Sequence, residues 1–360
     1  MNEHYSLKNI LKYHADFNLI YGPRSNGKTY SVIEYCLKNH YRLAYIRRAK
    51  EYVKRSTIKT LFEPHAGKWQ YKNYTDIIFK GGEFFYCNYD QNGKACNIAK
   101  TSMCKTFFLN TWESQKGADN GKFDVICFDE FLSTKGYLQD EVSIFKNVLS
   151  TIIRDRSDTI IFMLGNTDSK VNPYFSDFNI TDDVNKMSQG DIICVERGEF
   201  NTKIAFEWCG AVSATQKVKK FFEFGKKGGG MIVSGQWQYD TYPHCQYAIT
   251  KDNILKTAYV IATDYQLAID ICNCDDNIFL RVRKQTKNVT ENNIIYNKQP
   301  SGNPLYTTSI FKPKNKIHNI ILQLFNQNLV YFTDNEVGDI FKNYIIDCKQ
   351  RDANPVYILY

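Results

Sequence analysis

Three groups of residues in this chain have types and spacing that suit chemistry on a phosphate. The first is Gly22-Pro23-Arg24-Ser25-Asn26-Gly27-Lys28-Thr29, which fits G-x-x-x-x-G-K-[ST]. A loop of this kind turns successive backbone N–H groups and a helix N-terminus toward an anion. Lys28 would reach the β- and γ-phosphates of a nucleotide, and the Thr29 hydroxyl would ligate Mg²⁺. The second group is Asp129-Glu130, at the end of the apolar run 123–128. Asp129 is suited to hold the same Mg²⁺. Glu130, one residue on, is suited to orient and deprotonate a water. The third group is dispersed. Asn166 ends another apolar run, where it could sense a γ-phosphate or cap a turn. Arg154 and Arg156 could stabilise charge on transferred phosphate oxygens, an effect of roughly 10³–10⁵ in rate where documented. They could equally form surface pairs with Asp155 or Asp158. A glycine-rich loop alone recurs by chance. The loop together with a downstream acidic strand is far more specific and points to hydrolysis of ATP with Mg²⁺.

These residues need particular elements to hold them. Residues 17–21 are short, apolar and β-prone, and residues 30–37 carry Ile33, Cys36 and Leu37 at helical spacing. Strand, loop, helix is the context the motif requires. Residues 41–46 predict a second strand, ending in Arg47, Arg48, Lys50, Lys54 and Arg55. Most of these charges read as a solvated face, but Arg47 and Lys50 follow a strand's C-terminal end, where open α/β sheets bind ligands. Residues 68–110 are β-rich, with hairpin signals at Gly81-Gly82 and Asn92-Gly93, and predict an antiparallel addition to the sheet. Residues 123–128 and 159–164 read as buried parallel strands around a helix at 138–153. This alternation predicts a parallel α/β sheet flanked by helices. The pattern changes after residue 175, and Lys226-Lys227-Gly228-Gly229-Gly230 reads as a connector. The expected division is an ATPase domain over 1–204, a linker over 205–242 and an α+β domain over 243–360, whose last helix is capped at Thr333.

Composition sets the outer bounds. A hydrophobic fraction of 43% and aromatics of 15% supply real cores and argue against disorder. The net charge of +8 is compatible with a polyanionic partner. The 11 cysteines contain no C-x-x-C pair, which disfavours a zinc site or disulfide framework and suits a reducing compartment. Residues 1–5 lack the features of an export signal, and no stretch approaches the ~20 apolar residues of a membrane span. Basic clusters at Lys217, Lys219, Lys220, Lys226, Lys227, Arg281, Arg283 and Lys284 are singly the mark of solvated surface. Together they suit sequence-independent contact with a nucleic-acid backbone. Asp264, Asp270, Asp275 and Asp276 are numerous enough that counting alone leaves a two-metal nuclease open.

The loop 22–29, Ile46-Arg47-Arg48-Ala49-Lys50, Trp112-Glu113-Ser114-Gln115-Lys116, Phe128-Asp129-Glu130-Phe131, Arg154-Asp155-Arg156, Asn166, Val171-Asn172-Pro173-Tyr174-Phe175 and Asp183-Val184-Asn185-Lys186 carry a family resemblance. On these residues the chain resembles the DNA-packaging ATPases (encapsidation proteins) of small phi29-type tailed phages, relatives of the large terminases. The resemblance thins beyond Lys186. It implies an ASCE, terminase-like P-loop fold, followed by a second domain of ribonuclease-H type that has lost its nuclease. It implies a homomeric ring, a pentamer, that drives double-stranded DNA through the portal (connector) of a procapsid, with a packaging RNA as an optional partner. The setting would be the host cytoplasm and, transiently, the portal vertex, not the mature virion or a membrane. By the same resemblance Arg154 would act in trans, Lys116 would lie at the subunit boundary, Arg47 and Lys50 would make lid-like nucleotide contacts, and Arg24 would sense phosphate in cis; Lys116 and Arg156 are read with Asn166 as sensing or coupling residues. Two alternatives stand beside it: a terminase-like enzyme with an active nuclease, and a nucleotide switch that gates assembly.

Overall fold

The computed structural model describes residues 4–50, 58–115, 121–133, 136–154, 156, 158–168, 170, 172–212, 237, 242–262 and 266–353. Lys54, Arg55, Lys116, Asp155, Lys217, Lys219, Lys220, Lys226, Lys227 and Asp264 therefore lie outside the described residues, as does most of the expected linker. The chain forms two compact units, Met1–Thr134 with Asp140–Gln238, and Lys135–Gln139 with Tyr239–Tyr360.

The first unit is built on a 10-stranded sheet. Its strands are β1 (Phe17–Gly22), β2 (Leu43–Arg47), β3 (Asp76–Lys80), β4 (Glu83–Tyr89), β5 (Ala95–Cys96), β6 (Cys104–Phe108), β7 (Val125–Asp129), β8 (Ile160–Asn166), β9 (Ile192–Arg197) and β10 (Thr202–Trp208). The order is β3-β4-β6-β2-β7-β8-β1-β10-β9, with β5 paired to β4. From β6 to β10 the neighbours run parallel. Interior strands such as β2 and β7 are buried at nearly every position, as strands covered on both faces must be. Helices α1 (Lys28–Asn39), α2 (Glu141–Ile153), α3 (Pro173–Asp177) and α4 (Thr181–Lys186) belong to this unit. Asn172 caps α3, its side chain accepting from the N–H groups of Tyr174 and Phe175. The β3–β4 turn uses Gly81 and Gly82 at φ 63° and 88°, the positive pair that a tight hairpin needs.

The expected domain edge after residue 204 falls inside β10. That strand lies parallel to β1, with Phe17 opposite Ile204 and Tyr21 opposite Trp208. β10 thus belongs to the core sheet, and the expected linker loses its first residues to it.

The second unit holds a 6-stranded sheet in the order β15-β14-β11-β12-β13-β16. Its strands are β11 (Ile254–Ile261), β12 (Gln266–Cys274), β13 (Asn277–Lys284), β14 (Ile294–Asn297), β15 (Tyr306–Thr307) and β16 (Val330–Phe332). β11, β12 and β13 pair antiparallel, and β14, β15 and β16 join in parallel. Helices α5 (Lys316–Asn326) and α6 (Asn335–Ala353) pack on β13. The cap of α6 is Asp334, whose carboxylate accepts from the Val337 N–H, one residue later than the expected Thr333. Among the described residues no helix is long and apolar enough to cross a membrane.

Candidate functional site

The site forms where β1, β8 and β7 end side by side. Gly22 is opposite Asn166 across β1 and β8, and Asp129 is opposite Leu164 across β7 and β8. The acidic strand is therefore not next to the loop strand; β8 lies between them and delivers Asn166 to the gap. Residues 24–29 of the phosphate loop, Asp129, Glu130 and Asn166 line one cavity of about 410 Å³, while Gly22 and Pro23 do not line it. The Thr29 hydroxyl donates to Asp129 Oδ2 at 3.2 Å. Lys28 Nζ donates to the carbonyls of Pro23 at 2.6 Å and Gly22 at 3.3 Å, and lies 3.5 Å from Asn166 Oδ1. Burial pushes its pKa down, while Cys209, Asp129 and Asp168 act in the opposite direction.

Two glycines are dictated by space. A Cβ on Gly22 would come within 2.5 Å of Cys209 Sγ and 2.6 Å of the Cys209 carbonyl oxygen. Gly27 has φ +79°, and a Cβ there would meet His4 Cβ at 2.9 Å. Asn26, expected to help cradle phosphate, turns its side chain the other way. It is 1% exposed, donates to the Gly210 carbonyl at 2.9 Å and accepts from the Val212 N–H at 2.9 Å. Its side chain braces the loop against the chain leaving β10.

The acidic end is more constrained than its sequence suggested. Tyr45 donates its hydroxyl to Asp129 Oδ2 at 2.5 Å. Burial, then the nearby Asp129 charge, push the Tyr45 pKa upward, so it stays a neutral donor. Arg47 Nη2 lies 2.6 Å from Glu130 Oε2, and Nη1 lies 3.6 Å from Asp129 Oδ2. The structure thus gives Arg47, expected at the nucleotide, to the two carboxylates. Arg48, expected on a solvated face, is 9% exposed. It donates to the carbonyls of Glu130 and Phe131 at 3.0 and 2.6 Å and pairs with Glu141 at 2.7 Å. Glu141 also accepts from the Tyr174 hydroxyl at 2.7 Å. This network fixes the turn after Glu130, which sits at φ 61°. Arg48 could not be read as a core residue from sequence because its partner is 93 positions away. Tyr45 had a usable signal: it stands two residues before Arg47 on one strand, hence on the same face.

Arg24 is exposed and lines the cavity. Asp168, which sequence reasoning missed, is 6% exposed and lies two residues past Asn166. Burial pushes its carboxyl pKa up, against the pull of Arg24. Lys50 is exposed and does not line the cavity; its backbone N–H donates to Asn110 Oδ1 at 3.2 Å. Arg154 ends α2 at φ 51°, exposed and outside the cavity wall. Arg156, expected to serve sensing or coupling, does not line the cavity. It sits at the opposite end of β7 from the carboxylates, donating to the Phe123 carbonyl at 2.7 Å and pairing with Asp158 at 2.8 Å and Asp124 at 3.3 Å.

In the second unit Arg283 grips Asp270 through two contacts of 2.7 and 3.1 Å, and Asp270 is 0% exposed. Arg283, expected at nucleic acid, is therefore the counter-ion of a buried carboxylate. Lys284 pairs with Glu336 at 2.9 Å. Arg281 is partly exposed, opposite Asp270 across β12 and β13. Asp275 and Asp276 occupy the β12–β13 turn at φ 49° and 60°. Among the described residues no three His, Cys, Asp or Glu side chains are grouped to hold a metal. In the first unit, Thr29 and Asp129 offer hard oxygen donors side by side. That set fits Mg²⁺, which takes one or two protein ligands beside water and phosphate oxygens.

Comparison with known proteins bears on the same stretch. The sequence matches the family described as Podovirus DNA encapsidation protein (Gp16) over residues 2–202, more than half of its 360 residues. The DNA packaging proteins of Bacillus phages phi29 and PZA are each 29% identical to it over 189 residues, 51% of this chain and 52% of theirs. The chain thus matches only about half the length of these curated relatives. In fold it is similar to a chain of the bacteriophage Phi-29 viral genome packaging motor assembly, with TM-score 0.59 and 18% identity over 96% of this chain and 100% of that one. It is also similar to the Phi-28 gp11 DNA packaging motor, with TM-score 0.54 and 17% identity over 97% and 99%. At such identities the likeness is one of fold. The phosphate loop, the acidic strand end and Asn166 all fall inside the family match, and the chain belongs to the Podovirus DNA encapsidation protein (Gp16) family.

Proposed function

We propose that this protein is an ATP-driven motor that moves double-stranded viral DNA into a procapsid, working as a ring of identical subunits at the portal. The observation that carries this reading is the convergence of Thr29, Asp129, Glu130 and Asn166 on one cavity beside the phosphate loop. The names of its relatives and fold neighbours, DNA packaging proteins and packaging motors, supply the substrate.

In this reading the loop amides and Lys28 bind the β- and γ-phosphates of ATP. Thr29 and Asp129 would hold Mg²⁺, which neutralises charge on the phosphate oxygens. Glu130 takes the proton of a water as its oxygen attacks the terminal phosphorus, while the bond from that phosphorus to the β–γ bridging oxygen breaks and ADP leaves with the electron pair. The Arg47 guanidinium competes for that carboxylate, holding the one of its two oxygens, Oε2, that it contacts. Asn166, on the cavity wall, would register the γ-phosphate, and Arg24, also on that wall, would be a second phosphate-sensing group. Arg154 is exposed and outside its own cavity, which suits delivery to a neighbour's site in a ring. Lys50 would reach a nucleotide only from outside that wall. Lys116 is assigned to the subunit boundary on resemblance alone.

The second domain is read as nuclease-like in descent and without nuclease activity, because Arg283 neutralises Asp270. Pentameric stoichiometry, a packaging RNA, and residence in the host cytoplasm with transient docking on the procapsid complete the proposal.

The test is ATP turnover with and without double-stranded DNA and procapsids. Turnover should rise with both, and Glu130→Gln should abolish it while ATP binding persists. Retained turnover in Glu130→Gln removes Glu130 from its role, and turnover indifferent to DNA and procapsids removes the motor.

A further inference from the structure

The phosphate loop is gripped from outside by the segment ahead of β1. The Tyr5 N–H donates to the Asn26 carbonyl at 2.9 Å. The Tyr5 carbonyl accepts from the Ser31 hydroxyl on α1. The Tyr5 side chain is 7% exposed, and its hydroxyl donates to Glu207 on β10. One residue thus ties together the loop, the helix that follows it and the strand beside β1. His4 fills the space a side chain at Gly27 would need, and its ring lies 4.2 Å from that of Tyr30.

The bond to Asn26 has a directional consequence. In a trans peptide the C=O and N–H of one unit point opposite ways. The Asn26 carbonyl is held toward Tyr5, so the N–H of the same peptide, which belongs to Gly27, is held away from it. Gly27 lines the cavity. A phosphate loop works by presenting such N–H groups already oriented, because ordering them at the moment of binding costs affinity. Gly27 at φ +79° has no side chain to hold its own backbone, so the restraint has to come from a neighbour.

We propose that Tyr5 is a positioning residue for phosphate binding, a strap that keeps the Asn26–Gly27 peptide in the orientation in which its N–H serves the anion. This rests on the loop being a nucleotide site. It assigns a role in that site to a residue outside every motif, acting through the loop rather than on the nucleotide.

The test uses the full chain and three readouts: affinity for a fluorescent ATP analogue with Mg²⁺, amide hydrogen exchange across residues 22–29, and thermal melting. Tyr5→Ala should weaken analogue binding about tenfold and speed exchange in the loop. Tyr5→Phe keeps the ring packing and loses only the bond to Glu207, and should cost about two- to threefold. Ser31→Ala removes the strap's second anchor, so combining it with Tyr5→Ala should weaken binding no further than Tyr5→Ala alone. A Tyr5→Ala protein that melts earlier yet binds and exchanges like wild type overturns the proposal, and so does full additivity with Ser31→Ala. If Tyr5→Ala does not fold, Tyr5→Phe and Ser31→Ala decide: unchanged affinity in both overturns it. Wild-type protein that fails to bind the analogue sinks the nucleotide reading instead, and loop exchange then judges the strap by itself.

Discussion

Glu130 is the base of the proposed cycle, and its Oε2 lies 2.6 Å from Arg47 Nη2. That contact occupies one of the two oxygens through which Glu130 could take a proton from water. Its side chain is 58% exposed, so water screens the pair and its strength is modest. A modest pair is what a gate needs, because it can open when nucleotide and DNA shift the balance. Arg47→Ala should therefore raise unstimulated ATP turnover several-fold and bring the ratio of DNA-stimulated to unstimulated turnover toward one. Were Arg47 chiefly a nucleotide contact, the KM for ATP would rise while that ratio survived; steady-state assays with and without DNA separate the two. Contiguity decided what the sequence could reveal at this scale. Gly22 to Thr29 and Asp129-Glu130 lie in unbroken runs whose types fix their chemistry, and Asn166 follows from the end of an apolar strand. Arg48, Asp168 and the turned side chain of Asn26 depend on pairings that only the folded sheet creates. A basic residue near a strand end looks the same in sequence whether it faces water or a buried glutamate.

At the scale of elements, the strand most easily misjudged is the one that anchors the strap. β10 lies beyond the change in pattern, yet it is the neighbour of β1 and carries Glu207 opposite Ile20. That carboxyl is 8% exposed, and burial pushes its pKa up to about 7, only partly countered by the Tyr5 hydroxyl. Its folded pKa lies above the ordinary 4.5. Between those values the folded protein keeps a proton that the unfolded chain releases. Stability contributed by Glu207 is thus complete below the ordinary value, declines as pH rises through the window and is gone above about 7. The shift corresponds to about 3 kcal/mol. Glu207→Gln cannot ionise and still accepts the Tyr5 hydroxyl. Urea unfolding at pH 5 and pH 8 should show wild type losing stability relative to this variant by an amount of that order. Equal pH dependence in the two proteins would remove the buried carboxyl as the cause. The interior strands β1, β2, β7 and β8 were legible because burial on both faces leaves continuous apolar runs. β9 and β10 were harder, since an edge strand and its neighbour mix polar and apolar positions.

For the whole molecule the decisive question is where Arg154 acts, since the answer separates a ring from a set of independent subunits. It ends α2 exposed, outside the cavity that its own chain lines. A heterologous ring contact repeats one junction around an axis, so every site would pair Glu130 of one subunit with Arg154 of the next. Glu130→Gln and Arg154→Ala proteins should each be nearly inactive alone. Mixed in equal amounts, a site works wherever an Arg154→Ala subunit supplies the intact Glu130 and its neighbour, a Glu130→Gln subunit, supplies the intact Arg154. Random assembly makes about a quarter of the sites of that kind, and in a five-membered ring at most about two-fifths can be so. Unstimulated ATP turnover is the right readout, because it does not require every site in the ring to be sound. If Arg154 served its own subunit, every subunit in the mixture would still carry one lesion in its only site. Turnover would then stay at the sum of the two variants at any mixing ratio. Recovery toward a quarter of wild type therefore locates Arg154 at a subunit junction, and its absence in a mixture shown to co-assemble places the arginine in cis.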